Sequence, residues 1–82
     1  MPYRFSISAK AIAQLRALPK EIRQNIGWRM DALQENFEGD IKKLSAQGNR
    51  YRLRVGSYRV LFLLEGDSIW VYSVRDRKEV YE

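Results

Sequence analysis

The sequence predicts an α+β fold in which two N-terminal helices pack on one face of a small twisted antiparallel sheet, in the order β-α-α-β-β-β. Three observations predict it. Apolar residues recur at helical spacing from Ala11 to Phe37, alternation replaces that spacing from Tyr51 onwards, and the pairs Gly56-Ser57 and Gly66-Asp67 divide the alternating part into strands. Eighty-two residues suffice for one small core, so a single domain over residues 1–82 is expected.

The elements follow in order. Tyr3 to Ile7 alternates as a strand does, and Ser8 is placed to cap a helix starting near Ala9. Ala11, Ile12, Leu15 and Leu18 give that helix one apolar side. Pro19 interrupts the pattern and suits the first turn of a second helix. There Ile22, Ile26, Met30, Leu33 and Phe37 recur at steps of four, four, three and four, forming one face directed at the sheet. Gly39 and the polar stretch KKLSAQGN read as a loop, with Lys42-Lys43 an exposed pair. Trp28 lies off the apolar stripe. The first helix is expected to cover it, the other reading being an exposed anchor for a protein partner.

The stretch YRLRVGSYRVLF, Tyr51 to Phe62, is a hairpin whose register follows from its turn. With Gly56-Ser57 as the two turn residues, Val55 faces Tyr58, Arg54 faces Arg59, Leu53 faces Val60, Arg52 faces Leu61 and Tyr51 faces Phe62. Opposed residues share a face. Tyr51, Leu53, Val55, Tyr58, Val60 and Phe62 therefore point to the core, and the other face carries Arg52, Arg54, Arg59, Leu61 and Leu63. The second turn sets Leu64 against Ile69 and Phe62 against Val71. That register places Trp70, Tyr72 and Val74 on the arginine face.

Two arginines thus oppose each other with a third two residues away, and no carboxylate on that strand pair neutralises them. Like charges across a strand pair are destabilising, and a polyanion reverses the sign of that effect. Arginine offers a fixed fork of donors to phosphate and a flat surface for stacking, and Trp70 and Tyr72 supply aromatic surface nearby. The alternative is a solvated charged face with its apolar patch covered by a C-terminal segment or a partner. The net charge of +5 agrees with an anionic ligand. The absence of cysteine excludes disulfides, thiolate metal sites and cysteine nucleophiles, and no cofactor or metal motif is present. No apolar run is long enough for a membrane span or a signal peptide, which makes the cytoplasm the expected location.

YRLRVGSYRVLF, the acidic turn, the strand SIWVYSV and the ending RDRKEVYE together resemble the RelE/ParE superfamily of type II toxin-antitoxin toxins. The resemblance covers the whole chain in order. It implies a RelE-like fold neutralised by a cognate antitoxin whose acidic and apolar segment wraps around it. In the RelE branch the toxin enters the ribosomal A site and cuts mRNA by attack of a ribose 2′-hydroxyl on the adjacent phosphate. The basic pair before the turn then corresponds to Arg52 and Arg54, the arginine after it to Arg59, and the C-terminal arginine and tyrosine to Arg77 and Tyr81. Arg50, Arg75 and Lys78 are the further RNA-binding candidates. In the ParE branch the same fold poisons DNA gyrase without keeping these positions as a set.

Such cleavage needs in-line geometry, neutralisation of the phosphorane and proton transfer at two oxygens. The arginines supply neutralisation only, because guanidinium stays protonated. The chain has no histidine, and Asp76 stands where many relatives of that superfamily have one. Tyr81 is left as the main candidate for base or for stacking, with Asp76 and Glu79 as weaker proton carriers. As a base, Tyr81 would need arginines to lower its pKa from about 10. Its other reading is a tyrosine packing the C-terminus against the sheet. A gyrase inhibitor and a catalytically decayed toxin-fold binding protein are the alternatives to the nuclease.

Overall fold

The computed structural model describes residues 2–44, 46 and 48–79, the last by its backbone. Among these, strand β1 (Arg4–Ile7) leads into helices α1 (Ala9–Arg16) and α2 (Lys20–Asn36). Strands β2 (Asp40–Lys43), β3 (Arg50–Val55), β4 (Tyr58–Glu65) and β5 (Ser68–Asp76) follow, and a short 3₁₀ turn spans Arg77–Glu79. Ser8 caps α1 as its residue type predicts, its Oγ accepting the Ala11 N–H at 3.1 Å. Pro19 stands at the N-cap of α2, one position ahead of the first helical residue.

The strand order is β1-β5-β4-β3-β2. The helix pair carries the chain from one edge, β1, to the other, β2. Three reversals then return β5 to the side of β1, running in the same direction, so the sheet is mixed and not wholly antiparallel. The fifth strand, β2, occupies what the sequence suggested was the start of a loop. It is a four-residue edge strand with one core-facing apolar residue, Ile41, set against Leu53, and so little alternation gives no strand signal.

Two backbone positions bring β2 into place. Phe37 ends α2 in the left-handed conformation at φ 54°, ψ 42°. Its ring is held against Tyr3, Tyr51 and Phe62 at centroid distances of 5.4 to 6.1 Å, which offsets the roughly 1–2 kcal/mol that such a backbone costs a residue with a β-carbon. Gly39 follows at φ 140°, where a β-carbon would come within 2.5 Å of Leu53 Cδ1.

The core lies between the helices and one sheet face. Ile26 and Leu33 of α2 and Leu53, Val60, Phe62, Ile69 and Val71 of the sheet are essentially inaccessible to solvent. The β3–β4 register is the one deduced from the turn, pair for pair from Tyr51↔Phe62 to Val55↔Tyr58. Gly56 and Gly66 both sit at φ 60°, as two-residue turns of this kind require.

The β4–β5 pair departs from its simple register halfway along. Leu64↔Ile69 and Phe62↔Val71 are as expected, but the next pairs are Leu61↔Ser73, Val60↔Val74 and Arg59↔Arg75, leaving Tyr72 as an extra residue. Val74 is therefore in the core and not on the arginine face, and Arg75 takes the place opposite Arg59. Trp28 is also placed differently from expectation: it is 68% exposed, and α1, whose buried side (Ala11, Leu15) joins the core, does not cover it.

Candidate nucleic-acid interface

The face of the sheet away from the helices is organised in rows, because residues paired across neighbouring strands project together. One row runs Asp40, Arg54, Arg59, Arg75 across β2, β3, β4 and β5. With strands about 4.8 Å apart, its three arginines span roughly 10 Å between the outer two. The next row begins Lys42, Arg52, Leu61, and the one beyond sets Arg50 beside Leu63 and Trp70.

Asp40 supplies what the hairpin lacks. Its Oδ2 accepts from Arg54 Nε at 2.8 Å, while Arg52 Nη1 donates to its Oδ1 at 3.4 Å and to its backbone carbonyl at 3.2 Å. The hairpin itself holds no carboxylate beside these arginines, as its sequence predicts; the neutralising group comes from β2, where the sequence predicts a loop. Partial desolvation opposes ionisation of Asp40. The charge of Arg54, the hydrogen bond and charge of Arg52 and the hydrogen bond from Arg54 outweigh it and hold the carboxyl below the usual aspartate range. One carboxylate therefore fixes two guanidinium groups, and the Arg52 side chain is only 13% exposed.

Beside the arginines lies an aromatic pair. The rings of Trp70 and Tyr72 are 6.1 Å apart at 34°, with Trp70 43% exposed, whereas Leu61 on the same face is buried. A flat exposed ring next to fixed cationic forks is a surface on which a nucleic-acid base can stack while its phosphate is held.

The remaining candidates are placed unevenly. Arg77 and Lys78 are exposed in the 3₁₀ turn beyond β5, with the Arg77 N–H bonded to the Ser57 carbonyl at 2.7 Å, so Arg75 and not Arg77 is in line with Arg59. Asp76 pairs with Tyr58 on the helix side, and its Oδ1 accepts the Lys78 N–H at 3.1 Å, so the structure does not bring this carboxylate to the arginine row. Tyr81 and the side chain of Glu79 lie outside the described residues.

Among the described residues there is no cluster of three or more groups suited to a metal ion, and no helix is long and apolar enough to cross a membrane. A cavity of about 220 Å³ lined by Ile22, Asn25, Val55 and Tyr58 opens on the helix side, away from the arginines.

A small mixed sheet with two helices on one face and a basic, aromatic surface on the other matches known toxins. The family model for the ParE toxin of type II toxin-antitoxin systems matches residues 5–81. Toxin RelE3 of Methanocaldococcus jannaschii is 33% identical over 76 residues, covering 87% of this chain and 86% of that protein. The RelB–RelE antitoxin–toxin complex from Methanococcus jannaschii superposes with a TM-score of 0.77 at 32% identity, over 92% of this chain and 93% of that one. The archaeal RelE–RelB complex from Pyrococcus horikoshii OT3 gives 0.81 at 26% identity, over 98% and 100%. The chain belongs to the RelE/ParE superfamily of type II toxin-antitoxin toxins and is RelE-like in fold.

Proposed function

We propose that this toxin inhibits translation by cutting mRNA in the ribosomal A site. The observation that supports this reading is the row Arg54, Arg59, Arg75, three cations on adjacent strands of one open face. In the proposed reaction a ribose 2′-hydroxyl attacks the adjacent phosphorus, a 2′,3′-cyclic phosphate forms, and the bond to the next nucleotide's 5′-oxygen breaks. Arg59 and Arg75, with Arg54 and Arg52 positioned by Asp40, bind the phosphate and neutralise the charge that builds on its equatorial oxygens. Trp70 and Tyr72 hold a neighbouring base by stacking. Tyr81, ionised beside the arginines, takes the proton of the 2′-hydroxyl and water supplies the one that the departing 5′-oxygen needs, while Arg77 and Lys78 extend the contact along the strand with Arg50.

The partner proposed is a RelB-like antitoxin. Relatives from two archaea are seen in RelB complexes, and an acidic, apolar peptide that folds on binding complements the basic face. A second reading follows from the ParE description of the matching family model: a gyrase inhibitor acting through protein contacts. Brief expression in a bacterial cell with mapping of mRNA 5′ ends, beside a supercoiling assay on the same protein, separates the two. New cuts confined to translated frames are the expected result. Intact mRNA with inhibited supercoiling would replace the nuclease by the gyrase reading.

A further inference from the structure

The third arginine of the row reaches the outer face through the irregularity of β5. Continued unbroken from Phe62↔Val71, the register would set Val74 opposite Arg59 and turn Arg75 towards the helices. The extra residue Tyr72 reverses this parity for everything that follows. A bulge leaves backbone groups out of the ladder, and buried ones need partners.

Those partners come from α1 and its N-cap, Ser8. The strand β1 flanks β5 only as far as Ile7↔Val71, where the Ser8 N–H donates to the Val71 carbonyl at 2.9 Å. Beyond that point Ser8 Oγ donates to the Tyr72 carbonyl at 3.3 Å. Gln14 Oε1 accepts the Val74 N–H at 2.6 Å and the Ser73 hydroxyl at 3.3 Å. A single side-chain oxygen, one and a half turns into a helix on the opposite side of the sheet, thus holds both residues that follow the extra one.

We infer that Gln14 is a positioning residue for the anion-binding face: by fixing the bulge at Ser73 and Val74 it sets Arg75 beside Arg59, where a nucleic-acid phosphate is held. The inference rests on the reading of the arginine row given above. Glutamine suits the task because it offers an acceptor without a charge to desolvate among core neighbours.

The test uses the full chain and a 2′-O-methyl RNA dodecamer, which cannot be cut, with affinity measured over a range of salt and folding followed by urea denaturation. Gln14→Met keeps the length and removes the acceptor, whereas Gln14→Glu keeps the acceptor. Arg75→Ala and Gln14→Met should each weaken binding about tenfold and flatten the salt slope by about 0.7, the share of one phosphate contact on a single strand. Gln14→Glu should stay within about threefold of the parent, and Gln14→Met should add little in an Arg75→Ala background.

A folded Gln14→Met protein with parental affinity, or a loss that adds in full to that of Arg75→Ala, overturns the inference while leaving the arginine row intact. Parental affinity in Arg75→Ala overturns the row and the inference with it. Should Gln14→Met fail to fold, Gln14→Asn, one methylene too short to reach the Val74 N–H, carries the same expectations.

Discussion

On the side of the sheet that carries the helices, Leu53, Val60, Phe62 and Val71 are wholly buried and close on Ile26 and Leu33. On the other side the same strands present Arg54, Arg59 and Arg75 in a row without a helix over them. The difference is made by single steps along the chain: Leu53 and Arg54 are neighbours, as are Arg59 and Val60. One face gives up water for packing, and the other accepts like-charge repulsion and forms the surface proposed to bind an anion. Stability and recognition should therefore separate cleanly under mutation.

The largest effect expected is on the packed face. Phe62 is fully buried, stacked at 5.5 Å on Tyr51 and edge-on to Phe37, and Phe62→Ala should cost about 3–5 kcal/mol. That is much of the total stability of a domain this small. Urea denaturation should show a protein largely or wholly unfolded, with toxicity lost as a consequence. A variant as stable as the parent would mean that the ring is not the centre of the core.

Three residues before Phe62 on β4, and on the open face, Arg59→Ala should do the opposite. Its unfolding free energy should fall far less than that of Phe62→Ala, by about 1 kcal/mol, while toxicity on expression should disappear. Arg75→Ala should match it. Retained toxicity in both folded variants would remove these arginines from the site.

How far this contrast can be read in the sequence depends on what sets each residue's face. Along the β3–β4 hairpin a two-residue glycine turn fixes the register, so each pair from Tyr51 to Phe62 and the opposition of Arg54 and Arg59 follow from counting. Along β5 counting fails after Val71, because the bulge is held by Gln14, 59 and 60 residues away in sequence from its two partners, and local pattern contains no trace of such a contact. The place of Asp40 is hidden for a related reason: β2 has a single inward apolar residue, and it follows Gly39, whose lack of a β-carbon lets the chain pass close to Leu53. Trp28 lies off the apolar stripe of α2, a position compatible with cover by α1 or with exposure, and only the packing of α1 decides that it is exposed.

Gly39 offers a finer cut at the same contrast, since it joins the two faces. Alanine there meets Leu53 Cδ1 on the packed side and must keep φ at 140°. Gly39→Ala should destabilise by about 1–3 kcal/mol and shift the start of β2, loosening Asp40 from Arg54. Amide exchange in β2 should rise more than in β4, and equal change in both strands would show that β2 is no more dependent on Gly39 than the rest of the sheet.

Asp40→Asn is the mildest variant and acts on the open face alone. The Asp40 pKa is lowered in the folded chain, so its ionised form favours folding at every pH above the ordinary aspartate value of about 3.9, and that contribution fades as pH falls through the lowered value. Parent and Asp40→Asn should therefore differ in stability by a small, constant amount between pH 7 and about pH 4 and converge in stronger acid, with the gap shrinking as salt is added. Binding should move the other way. Removing the one carboxylate in the row frees Arg52 and Arg54 for phosphate, so at neutral pH and low salt the variant should hold single-stranded RNA more tightly than the parent, with a steeper salt dependence. A stability gap that persists in strong acid would show that the charge of Asp40 is not its source, and an affinity that falls would show that the positioning of Arg52 and Arg54 by Asp40 outweighs the attraction that its charge takes from the row.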